Sequence, residues 1–131
     1  QSPCVFTNGI DQLYLPIRHA EGKLVARHSE VIDNLFNSQQ VVLQYADPNG
    51  HAAYSYPDNP NGSLQSVAGI CDETGRVFGM MAHPEAAIYF TNHPHWHRLC
   101  EKAKRKGEEI PEKGDGHLIF QNGIQYLRES L

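Results

Sequence analysis

The stretch VAGICDETGRVFGMMAHPE, residues 67–85, decides how this chain is organised. Two apolar runs, 66–71 and 76–82, are separated by turn chemistry at Thr74-Gly75. That pattern predicts antiparallel neighbours joined by a hairpin. The second run stops abruptly at His83-Pro84-Glu85. In extended backbone, side chains at i and i+2 project to the same side. Pro84 fixes its own φ and disfavours helix at His83, so the spacing favours a facing imidazole and carboxylate. A carboxylate beside an imidazole selects its tautomer and stabilises the imidazolium, the base-and-orienter half of a nucleophilic triad. In open α/β sheets such chemistry sits beyond the carboxyl ends of strands, where this tripeptide falls. The bland reading is a strand-ending turn with a solvated histidine and glutamate, and spacing alone does not separate the two.

A base and its orienter need a nucleophile. An elbow wants a strand, a tight turn with small residues two before and two after the nucleophile, then a helix. Gly69-Ile70-Cys71-Asp72-Glu73 comes closest, but Glu73 is not small, and Thr74-Gly75 and another strand follow instead of a helix. Cys4 lies in SPCVF and Cys100 inside a helical pattern, so neither has elbow chemistry. The nucleophile is expected outside this chain.

Outward from the hairpin, the first two thirds read as short strands and turns. Leu13, Leu15 and Ile17 alternate with other residues, and 41–46 is a β-rich run ending at Asp47-Pro48-Asn49-Gly50. A further strand is predicted over 51–56. A short helix is predicted from Ser29, read as its N-cap, through Val31, Ile32, Leu35 and Phe36. The last third turns helical. Residues 94–106 begin with proline, end in cations and precede Gly107. Residues 107–116 form a polar, glycine-containing loop, and a final helix carries Phe120, Ile124, Leu127 and Leu131 as an inward stripe. No repeat or linker interrupts the 131 residues, so one α/β or α+β unit is expected.

Composition agrees with a packed fold, at 40% hydrophobic and 20% charged residues. No apolar run reaches the roughly 18 residues of a membrane helix. A formal charge of −4 argues against a nucleic-acid surface. Three widely spaced cysteines form no disulfide framework or zinc ribbon and fit a reducing cytoplasm. No secretory signal opens the chain, and its start at Gln1 rather than Met points to a processed or partial protein.

Three other clusters carry chemistry. In HPHWHR, His93 and His97 would share a helical face at i, i+4, but no third ligand is near, and a helix start with Trp96 packed inward is the better account. EKAKRKGEE places cations in a last helical turn, where they complement the helix dipole. PDNPNGS is a long turn or a rigid presented loop, alternatives that turn chemistry leaves open.

Taken in order, LPIRHAEGK (15–23), VVLQYAD (41–47), NPNGS (59–63), VAGICDETGRVFGMMAHPE (67–85) and GDGHLIFQNGIQYL (114–127) resemble the C-terminal half of the glutaminase of phosphoribosylformylglycinamidine synthase, a class I, triad-type glutamine amidotransferase. The resemblance covers nearly the whole chain and implies an α/β, flavodoxin-like fold, of which residues 1–131 form the C-terminal half, with mixed strands, hairpins and two C-terminal helices. It implies a Cys-His-Glu triad that hydrolyses glutamine, with His83 and Glu85 in the His and Glu roles and the cysteine in an N-terminal half absent here. His19, Glu21 and Gly22 match a segment resembling the glutamine-site rim. Ammonia would pass to a synthetase subunit or domain that binds ATP and Mg and activates formylglycinamide ribonucleotide; no cofactor or metal is expected in this chain. The family usually has proline before the histidine, arginine after the glutamate and glycine in place of Ala20; here Ala82 and Ala86 stand at the first two positions. The resemblance therefore leaves a non-catalytic partner-binding module, or another class I amidotransferase, as alternatives. Unpaired apolar edges in such a half predict homo-association.

Overall fold

A computed structural model describes residues 2–18 and 22–130. The centre is strand β2, Val67–Cys71, whose residues are buried along almost its whole length. Such burial on both faces explains why the run is continuously apolar instead of alternating. Strand β1, Val41–Gln44, and strand β3, Phe78–Met80, pair with β2 antiparallel, in the order β1-β2-β3. The β2–β3 register is regular (Gly69 opposite Met80, Cys71 opposite Phe78), whereas β1 shifts register between Val41 and Gln44. The predicted hairpin is present. Gly75 takes a left-handed φ of 69° and packs so tightly under the Pro3 carbonyl that a Cβ would collide with it.

Two predicted strands do not form as such. Over 13–17 only Ile17 makes a bridge, to Ala82, and over 51–56 only Ala52 does, to Ala46. Pro16 lacks the N–H that a ladder needs, so alternation there never becomes a strand. After Ala53, which donates to the Tyr45 carbonyl at 2.9 Å, the chain leaves for the 55–63 loop. The third run is also shorter than predicted, with strand geometry confined to Phe78–Met80.

Helix α1, Ser29–Asn37, buries Ile32, and its N-cap is His28 rather than Ser29. Helix α2, Trp96–Lys106, ends at Gly107 with Lys104, Arg105 and Lys106 in its last turn. Helix α3, Gly116–Ser130, buries Gly116 and Ile119. The N-terminal strap binds α3 to the hairpin: Asn122 Nδ2 donates to the carbonyls of Phe6 (3.0 Å) and Asn8 (2.9 Å), while the Phe6 and Phe78 rings stack at 5.9 Å.

The predicted inward stripe of α3 is not inward. Phe120, Ile124 and Leu127 are 44%, 53% and 59% exposed, and Leu131 lies outside the described residues. They line an apolar groove of about 540 Å³ with Phe78, Met80 and Pro84. Helical period establishes that residues share a face, not that another element covers it. Among the described residues, no helix is long and apolar enough to cross a membrane.

Candidate active site

His83 sits just past β3. Its backbone N–H donates to the Pro16 carbonyl at 2.9 Å, which joins it to the 16–17 segment beside the Ile17–Ala82 bridge. Pro84 then opens a short 3-10 turn, Pro84–Ala87, in which proline occupies the first position, where no N–H is required. The sequence argument placed the two side chains together through extended backbone; the turn does so instead. His83 Nδ1 donates to Glu85 Oε1 at 2.6 Å. Their side chains are 37% and 57% exposed, so the pair faces outward. With Nδ1–H committed to the carboxylate, Nε2 carries the lone pair and is the ring's available base.

The electrostatics point the same way. The His83 hydrogen bond is the largest influence holding the Glu85 carboxyl below its ordinary range; its own backbone N–H and a weaker field from Arg18 add to this. Arg18 was not singled out from sequence. The Ile17–Ala82 bridge and the Pro16–His83 hydrogen bond bring its segment near, and one-sequence patterning does not reveal such long-range pairings.

The floor of the site comes from far along the chain. Gly114 N–H donates to the Ile88 carbonyl at 2.8 Å, and Phe90 N–H to the Glu112 carbonyl at 3.0 Å. Gly116 lies directly against the Pro84 carbonyl, so that a Cβ there would overlap the oxygen. The Gly-Asp-Gly at 114–116 is thus a close-packing device beneath His83-Pro84-Glu85. Asp115 also accepts from the Tyr14 N–H at 2.7 Å.

None of the three cysteines stands in an elbow. Cys71 ends β2 and enters a hairpin; it is buried, and burial pushes its thiol up, against the lesser pull of the Ser2 hydroxyl 3.6 Å away. That is the environment of an inert thiol. Cys4 is buried and Cys100 lies on α2.

The remaining candidates divide. His19 and Glu21 lie outside the described residues, as does Ala20. Gly22 is described: its carbonyl accepts from Asn61 Nδ2 at 2.6 Å. That bond belongs to the NPNGS loop, where Asn59 is only 3% exposed and brackets Ser63, donating to its carbonyl and accepting from its N–H. Turn propensity alone had not shown that this loop bonds the neighbourhood of Gly22. The histidine cluster makes no helical pair, because α2 starts only at Trp96 and His93 precedes it. Trp96 is half-buried and stacks on His97 at 3.6 Å instead of packing fully inward. Among the described residues, no group of three or more His, Cys, Asp or Glu is placed to hold a metal ion.

Comparison with known proteins matches residues 1–127 to the CobB/CobQ-like glutamine amidotransferase domain. The chain is 42% identical over 130 residues to phosphoribosylformylglycinamidine synthase subunit PurQ of Methanococcus maripaludis, covering 98% of this chain and 47% of that protein. Its counterpart in Dehalococcoides mccartyi is 44% identical over 128 residues (98% and 45% covered), and that of Archaeoglobus fulgidus 36% identical over 131 (96% and 43%). The chain therefore spans about half the length of the curated relatives it matches. With the match covering nearly all of its residues, this chain belongs to the CobB/CobQ-like glutamine amidotransferase domain family.

Proposed function

We propose that this chain is the C-terminal half of a flavodoxin-like glutaminase of phosphoribosylformylglycinamidine synthase and supplies the histidine and glutamate of its Cys-His-Glu triad. The observation that carries the reading is the 2.6 Å His83–Glu85 hydrogen bond, set at an exposed turn with Nε2 left as the base. The thiol comes from outside residues 1–131. His83 Nε2 takes the cysteine's proton, and the thiolate attacks the glutamine amide carbon. The tetrahedral intermediate collapses to a thioester as the proton passes from His83 to departing ammonia. His83 then deprotonates water, which hydrolyses the thioester to glutamate and regenerates the thiol. Glu85 keeps the ring in the required tautomer and stabilises the imidazolium.

His19, Glu21 and Gly22 form part of the glutamine-site rim in this reading. Ammonia passes in the cytoplasm to a synthetase subunit or domain, where ATP and Mg serve the activation of formylglycinamide ribonucleotide. The apolar groove along α3 is covered in the complete domain; when these 131 residues are made alone, second copies take that place.

The test is ammonia release from glutamine by the full-length protein. Wild type is expected to turn over, and His83→Ala to lose at least about 10³-fold in kcat. The 131-residue chain by itself is expected to show no turnover. Activity that survives His83→Ala, or turnover by the short chain, overturns the assignment.

A further inference from the structure

The NPNGS loop is a polar structure with a purpose beyond its own turn. Asn61 uses both ends of its amide: Oδ1 accepts from the Ser63 N–H at 3.1 Å, within the loop, while Nδ2 donates outward to the Gly22 carbonyl at 2.6 Å. Ser63, buried, likewise turns its hydroxyl outward and accepts from the Leu24 N–H at 3.0 Å. Leu64 N–H completes the set, donating to the Leu24 carbonyl at 3.1 Å. Three hydrogen bonds thus hold the backbone of residues 22–24 against the loop. The loop is itself fixed to the body. Tyr45 O–H lies 3.5 Å from Asn61 Nδ2, and the fully buried Ser66, just after the loop, donates its hydroxyl to the Ala53 carbonyl.

On the other side of His19-Ala20-Glu21 the backbone has a second anchor. Ile17 bridges Ala82, and the Pro16 carbonyl accepts from His83 N–H. Only four residues, 18–21, lie between Ile17 and Gly22, a span of five backbone steps. At the maximal reach of extended backbone, the Asn61 tether therefore stands within about 17 Å of the bridge that positions His83. An amide is the side chain suited to this post, since one end must accept and the other donate. A carboxylate of the same shape keeps the acceptor for Ser63 but turns an oxygen on the Gly22 carbonyl.

We propose that Asn61, seconded by Ser63, is a positioning residue for glutamine binding: it holds the backbone at Gly22–Leu24, and so the described residue of the rim, Gly22, in place for the substrate. The inference rests on the rim assignment made above. It assigns to Asn61 no contact with substrate. Pre-set geometry of this kind lowers the ordering cost of binding, so its loss falls on KM more than on kcat.

The experiment compares wild-type full-length protein with Asn61→Asp and Ser63→Ala. Steady-state glutaminase kinetics, thermal unfolding, and hydrogen exchange at the Leu24 amide are measured on each. Expected is faster Leu24 exchange in both variants. In at least one folded variant, KM for glutamine should rise about tenfold with kcat within about threefold of wild type. A KM unchanged in both folded variants, or a fall confined to kcat, overturns this inference while the glutaminase reading stands. An inactive wild type overturns both. If Asn61→Asp does not fold, Ser63→Ala, which deletes only the Leu24 acceptor, decides by the same criteria.

Discussion

The two ends of the β2–β3 hairpin are built in opposite ways. At the turn end, residues 72–77 close on themselves: Gly75 N–H donates to the Asp72 carbonyl at 3.0 Å, Thr74 Oγ1 to Asp72 Oδ2 at 2.6 Å, and Val77 N–H to Asp72 Oδ1 at 2.9 Å. At the open end, the backbone around His83-Pro84-Glu85 is held largely by chain from elsewhere, by Pro16 upstream and by Gly114 and Gly116 downstream. A turn that satisfies most of its own polar groups needs little from the rest of the fold, here the packing of Gly75 under Pro3 and the Val5 N–H donated to the Gly75 carbonyl at 3.0 Å. A site that must leave an imidazole nitrogen unspent borrows its support from distant segments, and its geometry is correspondingly sensitive to them.

The largest effect that can break this contrast is catalytic. In the full-length protein Glu85→Gln is expected to lower kcat by about 10²–10⁴-fold with little change in KM, because the ring loses its tautomer partner. Asp72→Asn, at the other end, is expected to leave kcat within about twofold. Equal losses from the two substitutions would erase the distinction.

Next in size are the close-packed glycines. Gly116→Ala drives a methyl group into the Pro84 carbonyl and is expected to cost about 3 kcal/mol in denaturant unfolding, together with activity. Gly75→Ala meets the Pro3 carbonyl and also carries a positive φ, so it is expected to destabilise comparably. Its folded fraction, however, should keep normal kcat. Kinetics normalised to folded protein separate the two.

The smallest effect is protonic. Both carboxyls lie below their ordinary range, Asp72 chiefly through the Thr74 hydroxyl and then the Val77 N–H, Glu85 chiefly through His83. Because the folded state holds fewer protons than the unfolded one in that window, each group's contribution is complete above the ordinary carboxylate range. It is lost as pH falls through the depressed folded value. Carboxyl-carbon NMR titration should find Glu85 returning toward its ordinary value in His83→Ala while Asp72 stays put. Movement of Asp72 would show that the two ends are coupled.

What could be read from the sequence follows the same division. The hairpin, β1, and helices α1 to α3 are encoded by neighbours a few residues apart: turn residues, period, proline before α2 and Gly107 after it. The His83–Glu85 pairing was legible for the same reason, although through the wrong backbone geometry. The segment 13–17 was over-read, because alternation signals extended side chains while a strand also needs a partner and donors, and Pro16 offers none. Asn61 and Gly116 were not assigned, since their roles appear only where residues 39 and 32 positions apart meet. The α3 stripe shows the converse: its period was right, and its surroundings were not in the pattern.

That stripe has a thermal consequence. Removing hydrocarbon from water near 25 °C is driven by entropy and weakens on cooling. A preparation of these residues alone, with Phe120, Ile124 and Leu127 open to solvent, should accordingly stay dispersed longer on ice than on the bench, and clump on gentle warming well before its secondary structure melts.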